Sequence, residues 1–346
     1  MRATLLVPGP LGTVSGGYGY DRRIVAGLGA GGHVVDVAEL AGAHPLPDAA
    51  ARAAAAAAWA ALPAGSVPVI DGLGLPAFAD QAGDFAARHA VGLIHHPTCL
   101  EAGLAEADQA ALEAAERALF AALPRIVVTS EATAETLRAR FGVAAARIAV
   151  VVPGTDPAAR ATGSGGPGCQ ILAVGSLIPR KGHDVLLRAL ARLFDLDWRL
   201  TIAGGPLDGM QAQSLGALAE ELGITQRVTF AGTVVDGALE ALWRAADIFA
   251  LATRYEGYGM AIAEALARGL PVAVTDGGAA GALVTPEAGV VCAVDDVVTL
   301  SKSLRRMIFD TGLRASMAEA AWALGQALPG WPAQAAAFAA AIAPPA

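Results

Sequence analysis

Cysteine, aromatic side chains, basic clusters and long apolar runs are all scarce in this chain of 346 residues. Cys99, Cys169 and Cys292 are odd in number, widely spaced and free of any C-x-x-C pair. That excludes a disulfide framework or a zinc ribbon and suits buried thiols in a reducing cytoplasm. Aromatics make up 5% of a chain that is 55% apolar; the excess is largely alanine, so the core is packed with small side chains. The net charge is −8 and no run of Lys or Arg occurs, which argues against a nucleic-acid partner and marks no membrane-binding face. The most uniform tract, Ala53–Leu62, falls far short of the roughly 20 residues that span a bilayer and reads as a surface helix. Met1-Arg2 and the apolar Ala3–Val7 end at Pro8-Gly9-Pro10; this is too short for a signal peptide and reads as a first β-strand. No solenoid period is present.

What remains is alternation. Strand-length apolar runs stand at Thr4–Val7, His33–Val37, Val67–Ile70, Val91–His95, Ile126–Thr129 and Ile148–Val152, with helical patterns between them such as Tyr20–Ala30, Ala105–Ala122 and Ala132–Phe141. Repeated βαβ units predict a parallel, doubly wound α/β sheet. After Val152 the composition changes, and residues 158–168, rich in Gly and Ser, read as a flexible linker. Alternation restarts with Ile171–Val174, Arg199–Ile202 and Arg227–Phe230 as strands, and with His183–Leu193, Met210–Leu222 and Leu239–Ala245 as helices. The expected division is 1–157, a linker over 158–168, a second domain over 169–325 and a terminal helical segment over 326–346.

The densest chemistry lies in Ala246–Ala273. A short apolar strand, Ile248–Leu251, leads into Tyr255-Glu256-Gly257-Tyr258-Gly259, and Met260–Ala267 then reads as a helix stopped by Gly269 and Pro271. Loops of this kind lie at the carboxyl ends of parallel strands, where ligands bind, and the free N–H groups of the helix start attract anions. Glu256 and Glu264 are eight residues apart, and two carboxylates can accept hydrogen bonds from vicinal hydroxyls. A second segment, Ala173–Gly182, follows a strand and opens a helix with Arg180 and Lys181. Cations are electrostatically misplaced at a helix start, so their presence points to an anion, which Arg grips in bidentate fashion and Lys meets as a point charge.

In the first half, Gly16-Gly17 lets the backbone approach a ligand; the surrounding glycines do not fit G-x-G-x-x-G. His95-His96-Pro97-Thr98 ends a strand, and because neighbouring strand residues face opposite sides, one of the two histidines points inward; the reading takes His96. Two adjacent histidines without a third ligand do not make a zinc site. Ser130 reads as a helix cap. Asp195-Leu-Asp197 lies at the wrong end of its strand for a ligand, and Asp295-Asp296 reads as a solvated turn and N-cap.

The E-x7-E spacing of Glu256 and Glu264, the segment ending Arg180-Lys181-Gly182, the Gly16-Gly17 loop and Gly31-Gly32-His33-Val34 together resemble retaining glycosyltransferases of family 4, over nearly the whole chain. The resemblance implies the GT-B fold: two Rossmann-like doubly wound parallel-sheet domains facing across a cleft, with the last helix of 326–346 crossing back onto the first domain, where Trp331 is the candidate anchor. It implies that Glu256 holds the donor sugar, Glu264 the nucleotide ribose, and Arg180 and Lys181 the diphosphate. A histidine of the 95–96 pair would lie beside the reacting sugar. Gly257, Tyr258, Gly259 and Met260 would lie along the donor, Gly232 at the base-binding strand end, and Gly277-Gly278 in a close-approach turn near the sugar. The expected activity is metal-independent transfer of a hexose from a nucleoside diphosphate sugar, with retention, to an acceptor the motifs do not identify. No cofactor beyond the donor is expected. A hydrolase using Glu256 and Glu264 as an acid/base pair, a GT-B epimerase and a non-catalytic sugar-nucleotide-binding protein are the alternatives; oligomeric state stays open.

Overall fold

The computed structural model describes residues 1–205 and 209–344, and the chain divides into two units: Met1–Gly154 joined by the chain from Pro329 onward, and Thr155–Leu328. In the first unit the order is β1 (Arg2–Pro8), α1 (Gly16–Ala30), β2 (Val34–Leu40), α2 (Ala49–Ala60), β3 (Ser66–Asp71), β4 (Val91–Ile94), α3 (Glu106–Ala122), β5 (Arg125–Val128), α4 (Glu131–Phe141) and β6 (Ile148–Val150). The second unit continues with β7 (Cys169–Val174), α5 (His183–Ala191), β8 (Trp198–Ala203), α6 (Gly209–Glu221), β9 (Val228–Gly232), α7 (Asp236–Ala245), β10 (Ile248–Leu251), α8 (Met260–Ala267), β11 (Val272–Thr275), β12 (Gly289–Cys292), α9 (Val297–Phe309) and α10 (Thr311–Gln326). The last helix, α11 (Trp331–Ile342), belongs to the first unit.

Each unit holds a six-stranded parallel sheet, in the order β2-β1-β3-β4-β5-β6 and β12-β11-β10-β7-β8-β9. The inner strands are continuous apolar runs, Val91–Ile94, Ile248–Leu251 and Val272–Thr275 among them, buried along their whole length, as a sheet covered by helices on both faces requires. Strand order reverses between β1 and β3 in the first unit and between β7 and β10 in the second. At such a reversal the loops leave in opposite directions and open a crevice outside the carboxyl ends of the strands. No described helix is long and apolar enough to cross a membrane.

One reading changes. The Gly/Ser segment is no free linker: backbone N–H groups of Ala161, Thr162 and Gly163 donate to Arg268 and Arg244 carbonyls at 2.9–3.1 Å, and the Asp247 carboxylate accepts from the Ser164 and Gln170 N–H groups. Composition reports chain flexibility, but the partners that fix this segment come from distant sequence. Strand β12, short and led by a glycine, lacks a sequence signal of its own. The Ala-rich helix α2 buries Ala51, Ala55 and Trp59 on one face. Residues 345 and 346 of the expected terminal segment lie outside the described residues, and helix α11 packs on α1. Trp331 lies edge-on to Tyr20 at 5.9 Å and under Arg23 at 5.7 Å, and Gly27 leaves room for Ala335.

Candidate functional site

The crevice of the second unit forms from two turns that cross at the β7/β10 reversal. After β7 the chain runs through Gly175 into a short turn, Pro179–Lys181, and reaches α5 through Gly182, whose φ is +61°. A side chain at Gly182 would strike the Ala252 carbonyl, so only glycine lets this turn rest on the end of β10. The Arg180 carbonyl accepts from the Arg254 N–H at 2.7 Å and from the Thr253 hydroxyl at 3.1 Å. Lys181 lays its stem over Gly175 and brings Nζ to 2.5 Å from Glu256 Oε1. Arg180 donates to the Tyr255 carbonyl at 2.7 Å and stands 3.9 Å from Glu256 Oε2. Glu256 is 6% exposed. Burial by itself would push its pKa up, but Lys181, then Arg180, outweigh that and hold it below the usual carboxylate range. The product is a buried, ionised carboxylate locked to an ammonium, with a guanidinium alongside.

The Glu256 backbone is held from the other side as well, donating to the Gly277 carbonyl at 3.0 Å and accepting from Ala279 at 2.9 Å. A Cβ at Gly277 would come within 2.6 Å of the Thr253 carbonyl, and one at Gly278 would strike that of Glu256. Both glycines therefore serve contact between two backbones. Helix α8 starts after Gly259 at φ +103°, and the N–H groups of its first turn lack helical acceptors. Met260 is half-buried beside them, whereas the Tyr258 ring is buried, its hydroxyl pKa pushed up to about 12 by that burial. Tyr258 thus packs the loop instead of lining an open wall. Glu264 lies in the second turn of α8, half-buried on the face shared with Met260 and Arg268, whose guanidinium donates to its carbonyl at 3.0 Å. Gly232 ends β9 at φ +66°, its carbonyl accepting the Gly204 N–H at 2.8 Å.

At the reversal in the first unit, Ser15 caps α1 through the Tyr18 N–H, so the helix begins at Gly16, four residues before the periodicity suggests. Gly16 and Gly17 form its first turn. The imidazole beside them is that of His95, not His96: a Cβ on Gly17 would lie 3.4 Å from the His95 ring, whereas His96 turns to Glu101 at 3.1 Å. Strand β4 ends one residue earlier than read, and His95 is the first residue beyond it. His95 Nε2 lies 3.1 Å from Asp21 Oδ1 and 3.4 Å from Asp71 Oδ2, with the Tyr20 ring edge-on at 5.3 Å. Burial would keep the imidazole neutral, yet Asp21 and Asp71 outweigh it and push its pKa up to about 10; burial also pushes the Asp21 carboxyl up to about 6, against the pull of His95. The turn beyond is held by buried Glu116, which accepts from the Thr98 hydroxyl at 2.8 Å and the Cys99 N–H at 3.2 Å. Ser130 caps α4.

Four groups escaped sequence reasoning. Asp21 and Asp71 carry no spacing that would link them. Arg254 braces the Lys181 turn, gripping Asp184 at 2.8 and 3.0 Å, Asp295 at 2.8 Å and the Pro179 carbonyl. Asp295 is the exposed turn residue the sequence suggested, at φ +60°, and Asp296 caps α9 as read. His183 is buried with Nε2 3.2 Å from the Ser176 carbonyl, and burial pushes its pKa down to about 4, so it donates there as a neutral ring. The D-x-D residue Asp195 is taken up by Arg305.

Residues 159–323 match the family described as Glycosyl transferases group 1, and residues 51–159 match Glycosyltransferase Family 4. D-inositol 3-phosphate glycosyltransferase of Mycobacterium sp. (strain KMS) is 38% identical over 226 residues, 57% of this chain and 51% of that protein. The match thus spans about half the length of such relatives. Sucrose-phosphate synthase from Thermosynechococcus elongatus superposes with a TM-score of 0.81 at 20% identity over 98% of both chains. Anabaena Alr3699/HepE in complex with UDP-glucose gives 0.77 at 19% identity, over 98% of this chain and 99% of its own. These two likenesses establish the fold, GT-B.

Proposed function

This chain belongs to glycosyltransferase family 4, and from that premise we propose that it moves a hexose from a nucleoside diphosphate sugar to an acceptor hydroxyl, with retention and without a metal ion. The observation that carries the reading is the Lys181–Glu256 pair with Arg180 beside it, at the β7/β10 reversal. A diphosphate arriving there competes with Glu256 for Lys181 and Arg180. Charge-assisted hydrogen bonds of about 1.5–3 kcal/mol each exceed what the start of α8 offers through Gly257, Gly259 and Met260, roughly 0.3–1 kcal/mol. Glu256, released but still ionised, then accepts hydrogen bonds from sugar hydroxyls, while Glu264 takes the ribose and the turn at Gly232 meets the base. As the glycosidic C–O bond breaks, negative charge grows on the leaving phosphate, where the two fixed cations stabilise it most. Gly16, Gly17 and the His95 imidazole form the acceptor side. Alr3699/HepE, solved with UDP-glucose, supports UDP as the first base to try. Three buried free thiols fit the cytoplasm.

A thermal-shift series with UDP-, GDP- and ADP-sugars tests the donor site, since a ligand that binds only the folded form raises its stability. One of them is expected to raise Tm in the wild type, and Lys181→Ala and Glu264→Ala are each expected to weaken that shift; unchanged shifts in both variants would remove the site. Anomer-resolved product analysis tests retention, and undiminished turnover in a chelator tests metal independence.

A further inference from the structure

The motifs leave the acceptor open, yet the crevice at the β1/β3 reversal has a definite charge. Its floor is made by Asp21 from α1, Asp71 at the last position of β3, and His95 just after β4, joined through one imidazole nitrogen at 3.1 and 3.4 Å. Asp71 also accepts the Leu73 N–H at 2.9 Å through Oδ1. Asp21, only 1% exposed, keeps Oδ2 without a hydrogen-bond partner among the described residues. With the imidazole charged the trio carries one net negative charge, and with it neutral, two. Glu39, which accepts the Leu11 N–H at 2.9 Å beside the glycine turn, adds to that sign. Arg22, the guanidinium reaching this turn, is hung on the Leu11 and Thr13 carbonyls. The chain has two lysines, Lys181 and Lys302, and neither belongs to this unit.

We propose that the acceptor carries no phosphate or carboxylate: it is a neutral polyol or an amino sugar, whose hydroxyl or ammonium donors suit the negative charge that Asp21 and Asp71 hold beneath this edge. The proposal rests on the reading of this crevice as the acceptor side of a glycosyl transfer. An acceptor of the kind for which D-inositol 3-phosphate glycosyltransferase is named would bring an anion to an edge that opposes it. Buried carboxylates are weakly screened, so the penalty on a phosphorylated acceptor is about tenfold or more.

Matched pairs decide it: inositol against inositol 3-phosphate, and fructose against fructose 6-phosphate, with glucose and glucosamine as uncharged and cationic probes. Binding is read by saturation-transfer NMR on the full chain alone, and turnover as kcat/KM with whichever nucleotide sugar gives the largest thermal shift. The unphosphorylated member is expected to lead by about tenfold or more, and the gap to narrow in Asp71→Asn. A lead for the phosphorylated members, a gap unchanged in Asp71→Asn, or no saturation transfer from any uncharged or amino probe would overturn the proposal. So would a stoichiometric divalent ion retained by the wild type and lost from Asp21→Asn, because an ion there reverses the sign of the charge. Failure of the donor reading looks different: no nucleotide sugar raises Tm, while the NMR contrast within the pairs persists.

Discussion

At its strand-order reversal the second unit sets two cations, Arg180 and Lys181, against one carboxylate, Glu256; the first unit sets one imidazole, His95, against two carboxylates, Asp21 and Asp71. The scaffolds are alike, six parallel strands with the reversal at the same kind of place. The difference lies in a handful of side chains, which is how one fold comes to bind unlike ligands. In both crevices a buried acid is tied to a base from a separate strand end, and the surplus charge is of opposite sign in the two.

The largest expected effect breaks the cationic side. Lys181→Ala should lower turnover by about 10²–10³, the scale of losing a group that stabilises transition-state charge. It should also cost about 3 kcal/mol of stability by leaving Glu256 buried with only Arg180 near it. Adding Glu256→Gln should recover much of the stability and none of the turnover; kcat and denaturant midpoints together check this.

A second expectation contrasts the two buried histidines by pH. The folded pKa of His95 is raised to about 10, so its stabilising contribution is complete below its unfolded pKa, near 6.5, and is lost as pH climbs towards 10. That of His183 is lowered to about 4, so its contribution is lost instead as pH falls from about 6.5 towards 4. Asp21, raised to about 6, works against the folded state as it ionises between about 4 and 6. His95→Gln should flatten the alkaline limb of a stability-against-pH curve, and His183→Gln the acid limb; a single limb affected by both would break the comparison.

The smallest effect concerns the brace behind Lys181. Asp295→Gly removes a half-exposed partner of Arg254 but relieves a left-handed backbone, so stability should change by less than about 1 kcal/mol. The bidentate Asp184 contact should keep Arg254 in place, and KM for the donor should move less than twofold, well inside the tenfold that 1.4 kcal/mol would give.

The sequence made the repeating strand–helix pattern legible because parallel strands buried on both faces are continuous apolar runs, as Ile248–Leu251 and Val272–Thr275 are. Lys181 and Glu256 were legible as charges in the wrong company, cations at a helix start and an acid in a glycine loop. Asp21 and Asp71 were not, because each looks ordinary until the fold sets it against His95. The choice between His95 and His96 turned on where β4 ends, and a shift of one residue exchanges the two faces of a strand. Ser15 was available as a cap signal but was followed by glycines, which weaken a helical pattern. The segment at Ala161–Ser164 looked loose because glycine content says nothing about carbonyls contributed from Arg244 and Arg268.

Helix α11 also constrains the order of assembly. Tyr20, Gly27 and Gly154 are made early, but Trp331, Ala335 and Phe338, which cover them, leave the ribosome only after the whole second unit has been synthesised. Until then the nascent first unit has an uncovered apolar flank along α1, and its folding waits on residues made after the second unit.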